Sequence, residues 1–285
     1  MADPLTAAPT DQPPVLFIAF AVCIWLAGLV LLYRLATGRL GTSSPAVPAW
    51  PLSIEKFITS GLLVFAGGIL FPQLTTYLSH DILGPAATDG DWWMIVQGAS
   101  FQIGMLCGAL LASVLFHARP VDSSALVGSV LPKPKPILAG LITFLIAIPL
   151  IDGVGYLWKT IIEFFGYSTS EQDMVDLFRN ADDPYLLVWM IVLAAIVAPI
   201  TEELIFRAGL FRYLRTRIPR ALALILPALL FALLHGNLAA FTPLCVLGVF
   251  FALAYERTGS IAVPMIAHAL FNLHTIVRVM AGITG

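Results

Sequence analysis

Three short polar motifs interrupt otherwise apolar sequence, and their side chains are of types that do acid–base chemistry. Ala198-Pro-Ile-Thr-Glu-Glu-Leu-Ile-Phe-Arg207 sets two adjacent carboxylates and an arginine at the end of a long uncharged run. Phe231-Ala-Leu-Leu-His235 closes a second apolar run, and His268-Ala-Leu-Phe-Asn272 lies within a third. On a helix, Glu203 and Arg207 are i and i+4 with the acid N-terminal, the favourable order for an ion pair. Glu202 points about 100° away from Glu203 and has no cation at that spacing. One carboxylate is therefore neutralised structurally, while the other is left free to act as a base. His268 and Asn272 share one helix face, as do Phe231 and His235. Polar groups on an apolar helix must find partners inside a bundle. The plainer readings are carboxylates at the headgroup level, a histidine that caps a helix, and an interhelical hydrogen bond.

The elements that carry these residues are set by length and hydropathy. Only 11% of the 285 residues are charged and 59% are hydrophobic, with a mean hydropathy of +0.92. A water-soluble domain carries roughly 25% charged residues, so lipid is the expected solvent. A helix that crosses a bilayer needs about 20 mainly apolar residues. Eight segments qualify or nearly do: 15–36, 54–78, 92–116, 137–160, 185–207, 220–235, 238–256 and 261–280. The sixth is short and is separated from the seventh only by His235-Gly-Asn237, which reads as a tight helical hairpin. The expectation is an all-α, polytopic membrane helix bundle of about eight transmembrane helices. It forms a single membrane domain over 1–285, with helices 1–4 in 15–165 and the motif-bearing helices 5–8 in 185–280.

Loop charges alternate. Arg34, Arg39 and Lys56 flank the first connection, Arg119, Lys133 and Lys135 the third, and Arg212, Arg215, Arg217 and Arg220 the fifth. The second carries Asp81, Asp89 and Asp91, and the fourth Glu171, Asp173, Asp176, Asp182 and Asp183. Basic connections stay cytoplasmic, which places both termini on the non-cytoplasmic side. Residues 1–14 lack the positive n-region of a signal peptide, so the first run reads as a retained helix. The expected location is a prokaryotic plasma membrane, crossed several times. The net charge of −2 gives no reason to expect nucleic acid.

Other polar residues have modest readings. Gly104-x-x-x-Gly108 favours close helix approach, and 131–136 reads as a short extended linker. Gln97 and Gln102 are expected to bond between helices. Asp152 is a candidate for lining a cavity, Arg278 for snorkelling at a helix end, and His274 faces away from His268. Cys23, Cys107 and Cys245 are an odd set in apolar runs, which argues against a disulfide framework. Pro199, Pro227 and Pro264 each shortly precede a motif residue, and each removes a backbone hydrogen bond. No His-Glu-x-x-His or Gly-x-Ser-x-Gly signature occurs.

In this order on three membrane helices, Glu202-Glu203-x-x-x-Arg207, Phe231-x-x-x-His235 and His268-x-x-x-Asn272 resemble the CAAX protease and bacteriocin-processing family. These are intramembrane glutamate endopeptidases, also called type II CAAX prenyl endopeptidases or abortive-infection-like proteins. The resemblance covers about 185–280. It implies a catalytic set of Glu202, His235, His268 and Asn272, supported by Glu203, Arg207 and Phe231. By resemblance, Glu202 and His235 activate a water, and His268 and Asn272 stabilise the oxyanion. The implied partners are a protein or peptide substrate at the membrane, possibly prenylated or otherwise processed at its C-terminus, and the lipid bilayer. No cofactor or metal is expected. The alternatives are a zinc-dependent protease on Glu202, His235 and His268, which are acceptable ligand types, and a non-enzymatic scaffold or immunity protein. One geometric demand remains. Glu202 lies about 15 Å of helix from Arg212 and His235 about 22 Å from Arg220, so their depths must be brought together.

Overall fold

A computed structural model describes residues 15–37, 47, 49–84, 88, 90–116, 134–167, 178 and 183–282. Arg39, His117, Arg119, Lys133 and the loop acids Asp89, Glu171, Asp173, Asp176 and Asp182 lie outside the described residues, as do 1–14 and 131–133; residues 134–136, expected as extended linker, are instead helical.

Long apolar runs become helices because a chain in lipid must satisfy its backbone hydrogen bonds within each segment. The helices are α1 (Val15–Ala36), α2 (Ile54–Leu83), α3 (Asp91–Leu115), α4 (Pro134–Phe164), α5 (184–214), α6 (Arg220–Leu234), α7 (Leu238–Thr258) and α8 (Ala262–Met280). Seven are long and apolar enough to cross a membrane, while α6, with 15 residues, is shorter. The chain is a polytopic helical membrane protein. Large apolar side chains on the outer faces of α1–α3, such as Phe20, Ile69 and Leu110, are exposed, as lipid-facing residues are.

Packing follows small residues and aromatic anchors rather than exclusion of water. The helices α2 and α3 form a close antiparallel pair. A side chain on Gly104 would collide with the Gly67 carbonyl, and one on Gly108 with that of Leu63. Gln97 Nε2 donates to Thr76 Oγ1 at 3.1 Å across this pair. Gln102 is buried, and its Oε1 has no hydrogen-bond partner among the described residues.

The helix α4 is the central post, packed on α1, α7 and α8. Phe144, Ile148 and Ile151 of α4 meet Leu247 and Phe251 of α7 and Ala267 of α8. Asp152 and Arg278 pair with each other at 2.9 Å between α4 and α8, a partnership that neither residue's spacing announces. Cys23, Cys107 and Cys245 are free.

Polar contacts tie connections together at the two ends of the bundle. At one end Arg217 NH2 donates to the Trp50 and Leu52 carbonyls at 2.8 Å each, and Arg215 NH1 donates to Val47 O. Arg220 and Arg215 hold Glu256 of α7 there. The first, fifth and seventh connections thus gather together. At the other end Trp92 Nε1 donates to Asp183 Oδ2 at 3.1 Å. Trp158 Nε1 donates to Leu238 O at 2.7 Å, pinning the α6–α7 turn to α4. Trp158 is six residues before the end of α4, so this turn stops about 9 Å of helix rise short of it. The short α6 thereby keeps His235 within the bundle's length.

Candidate active site

The helix α5 is not uniform. Two stretches, Leu193–Val197 and Glu203–Phe211, are π-helical. Wider π turns are rare and recur at functional sites. The second stretch carries Glu203 and Arg207, and Glu202 closes the α-helical turn between the two.

Glu203 and Arg207 form the ion pair that their spacing predicts, with NH1 2.9 Å from Oε1. Their side chains are 0% and 2% exposed. A charge pair so deeply withdrawn from water needs further partners to be tolerated. Arg207 NH2 donates to Gly248 O at 3.2 Å, and its guanidinium lies 4.7 Å from the Phe231 ring and 5.5 Å from that of Phe251. Gly248 makes the approach possible. A Cβ there would stand 2.9 Å from Ala228 Cβ and 3.4 Å from Arg207 NH2.

His268 faces both carboxylates. Its Nδ1 is 2.9 Å from Glu203 Oε1, and its Nε2 is 3.7 Å from Glu202 Oε2. Because Glu203 is already paired with Arg207, it acts as an acceptor for Nδ1–H. Nε2 is then the nitrogen turned toward Glu202. Glu202, 16% exposed, is the more accessible carboxylate. The spacing argument leaves it without a partner on its own helix; the partner comes from α8.

His235 caps α6. Its Nδ1 lies 2.8 Å from the Phe231 carbonyl. A carbonyl only accepts, so Nδ1 carries the proton and Nε2 is the free nitrogen. The ring is exposed and packs edge-on to Phe231 at 4.8 Å, while His268 packs on the same ring at 5.9 Å. Phe231 is therefore a wall common to both imidazoles. Among the described residues, Glu202 touches His268 rather than His235. Nor do three or more His, Cys, Asp or Glu side chains stand together there as a metal-ligand set.

Asn272 lies one turn beyond His268 on α8. Its Nδ2 donates to the Ala194 carbonyl, in the first π stretch, at 2.8 Å. Phe251, Gly248 and Ala194 carry no sequence signal that marks them as neighbours of the motifs. Only Pro199 hinted at an irregular α5.

A multi-helix membrane protein with a buried Glu–Arg–His cluster is the class that fold and site define. Residues 184–274 match the family described as type II CAAX prenyl endopeptidase Rce1-like. The chain is 33% identical over 88 residues to the Bacillus subtilis (strain 168) protein named "Putative membrane peptidase YdiL", covering 31% of this chain and 36% of that one. It is 27% identical over 124 residues to an uncharacterized protein of Mycoplasma capricolum subsp. capricolum, covering 41% of this chain and 36% of the relative. The matched regions thus span little more than a third of each relative's length. No solved structure matches the chain.

Proposed function

We propose that this protein is an intramembrane endopeptidase of glutamate type. The observation that carries this reading is the pairing of an accessible carboxylate, Glu202, with His268, whose other nitrogen is held by Glu203. In the proposed reaction Glu202 takes a proton from a water, and the hydroxide attacks the peptide carbonyl carbon. The free Nε2 of His235 accepts the water's second hydrogen bond and orients it. The resulting oxyanion needs a donor. With Nδ1–H held by Glu203, His268 donates to the oxyanion from Nε2 when that nitrogen also carries a proton. Glu202 then returns its proton to the departing amine nitrogen as the C–N bond breaks. Glu203 and Arg207 hold the glutamate helix against α7.

The substrate class is a protein or peptide segment at the membrane, and the family description names prenylated C-termini as one such class. The basic end of the bundle, with Arg212, Arg215, Arg217 and Arg220, is the cytoplasmic end on this reading, and both termini lie opposite it.

The test compares the terminal peptides of the membrane proteome from cells carrying the native chain and Glu202→Ala. A set of termini that depends on Glu202, and is lost again in His235→Ala and His268→Ala at equal protein level, is expected. Unchanged termini in all three variants would reject a peptidase.

A further inference from the structure

We propose that Asn272 is a positioning residue that caps the Ala194 carbonyl orphaned by Pro199, locking α8 to α5 in the register that sets His268 against Glu202. The catalytic half of this inference rests on the endopeptidase reading; the capping half does not.

In the first π stretch the Ala198 N–H bonds Leu193 O, five residues back. The same register would pair the next amide, at 199, with Ala194 O. Residue 199 is proline and has no N–H. Ala194 O therefore loses its helical donor at i+5, while the donor at i+4 is already engaged by Leu193. A bare carbonyl inside an apolar bundle is costly. Asn272 Nδ2, at 2.8 Å, supplies what the proline removed.

This bond has a consequence for the site. His268 and Asn272 are successive residues on one face of α8, and they grip α5 at two points. His268 holds Glu203 Oε1 and faces Glu202, while Asn272 holds Ala194 two turns earlier. Pro199 lies between the two points. Two contacts on one face fix both rotation and slide of α8 against α5, whereas His268 alone would leave a pivot. Asn272 thus acts through the placement of His268 and Glu202, whereas the resemblance assigns it directly to the oxyanion.

The proline makes the idea testable, because Pro199→Ala restores an N–H that can serve Ala194 from within α5. The full chain in detergent is prepared as native, Asn272→Ala, Pro199→Ala and the double variant, with Asn272→Ser in both backgrounds as a milder version of the same change. Thermal unfolding is read first. Asn272→Ala should lower the midpoint by about 2–4 °C when residue 199 is proline and by clearly less when it is alanine. Equal lowering in both backgrounds overturns the capping role. Next, kcat and KM are measured on a substrate found through the Glu202-dependent termini. Asn272→Ala should lower kcat on the order of 10- to 100-fold, leave KM nearly unchanged, and recover most of the loss in the double variant. An equal kcat loss in both backgrounds would place Asn272 on the oxyanion and overturn the positioning role. A native chain with no Glu202-dependent cleavage would reject the endopeptidase reading, while the thermal cycle still decides the capping bond.

Discussion

His268 is tied to Glu203 through Nδ1 at 2.9 Å, and the same Glu203 oxygen is shared with Arg207 at 2.9 Å. One carboxylate oxygen thus fixes the proton position on a histidine and neutralises an arginine. Replacing Glu203 by Gln keeps an acceptor for Nδ1 but removes the counter-charge of a fully buried guanidinium. Breaking one partner of such a pair costs about 3–5 kcal/mol, whereas removing both costs much less. Glu203→Gln and Arg207→Met should each lower the thermal midpoint sharply. Their combination should fall well short of the sum, as a double-mutant cycle in detergent would show. Additive losses would mean that the two side chains are stabilised independently.

Gly248 sits where α6 and α7 come closest to Arg207. A methyl group there meets Ala228 Cβ at 2.9 Å and Ala228 Cα at 3.1 Å, a backbone-level clash that rotamer changes cannot relieve. Gly248→Ala should destabilise by about 1–3 kcal/mol, in the range of overpacked cores. Adding Ala228→Gly should return part of that loss by opening the opposite wall. Thermal unfolding of the two single variants and the double variant decides the point. A neutral Gly248→Ala would mean that α6 and α7 separate easily.

The eight helices were legible because runs of this hydropathy have one solution in lipid. The Glu203–Arg207 pair was legible because i, i+4 neighbours meet whatever the tertiary context. Contacts between helices were not. Asp152 with Arg278, Glu256 with Arg215 and Arg220, and His268 with Glu203 are separated by 36 to 126 positions. No periodicity within one helix encodes such pairings. The π stretches of α5 were also hidden, since a register change adds no distinctive residue beyond Pro199. The end of α6 is tied to Trp158, and Phe231 brings His235 and His268 to one ring, contacts that residue content alone does not announce.

Arg217 joins the first connection to the fifth. It donates to the carbonyls of Trp50, Leu52 and Tyr213 at 2.8 Å each and stacks 3.8 Å from the Tyr213 ring. Arg217→Lys keeps the charge but not the fork that reaches several carbonyls at once. The expected outcome is faster amide exchange across 49–53, with cleavage activity retained within a few-fold. Unchanged exchange would show that Val47 and Leu52, both buried, hold the segment without the arginine.

Phe231 is the last of the motif residues to assign. Its ring touches His235 at 4.8 Å, His268 at 5.9 Å, Phe206 at 5.4 Å and the Arg207 guanidinium at 4.7 Å. Truncation to alanine should cost about 3–5 kcal/mol, which would confuse loss of fold with loss of function. Phe231→Leu is the more informative change, because it keeps apolar volume but removes the flat face between the histidines. On the wall reading, this variant folds with a modestly lowered midpoint and loses kcat by about tenfold or more, since both imidazoles lose the surface that sets their planes. Full activity in a folded Phe231→Leu protein would show that the hydrogen bonds at Nδ1, from His235 to the Phe231 carbonyl and from His268 to Glu203, are enough to orient the rings. The wall would then be a matter of packing alone.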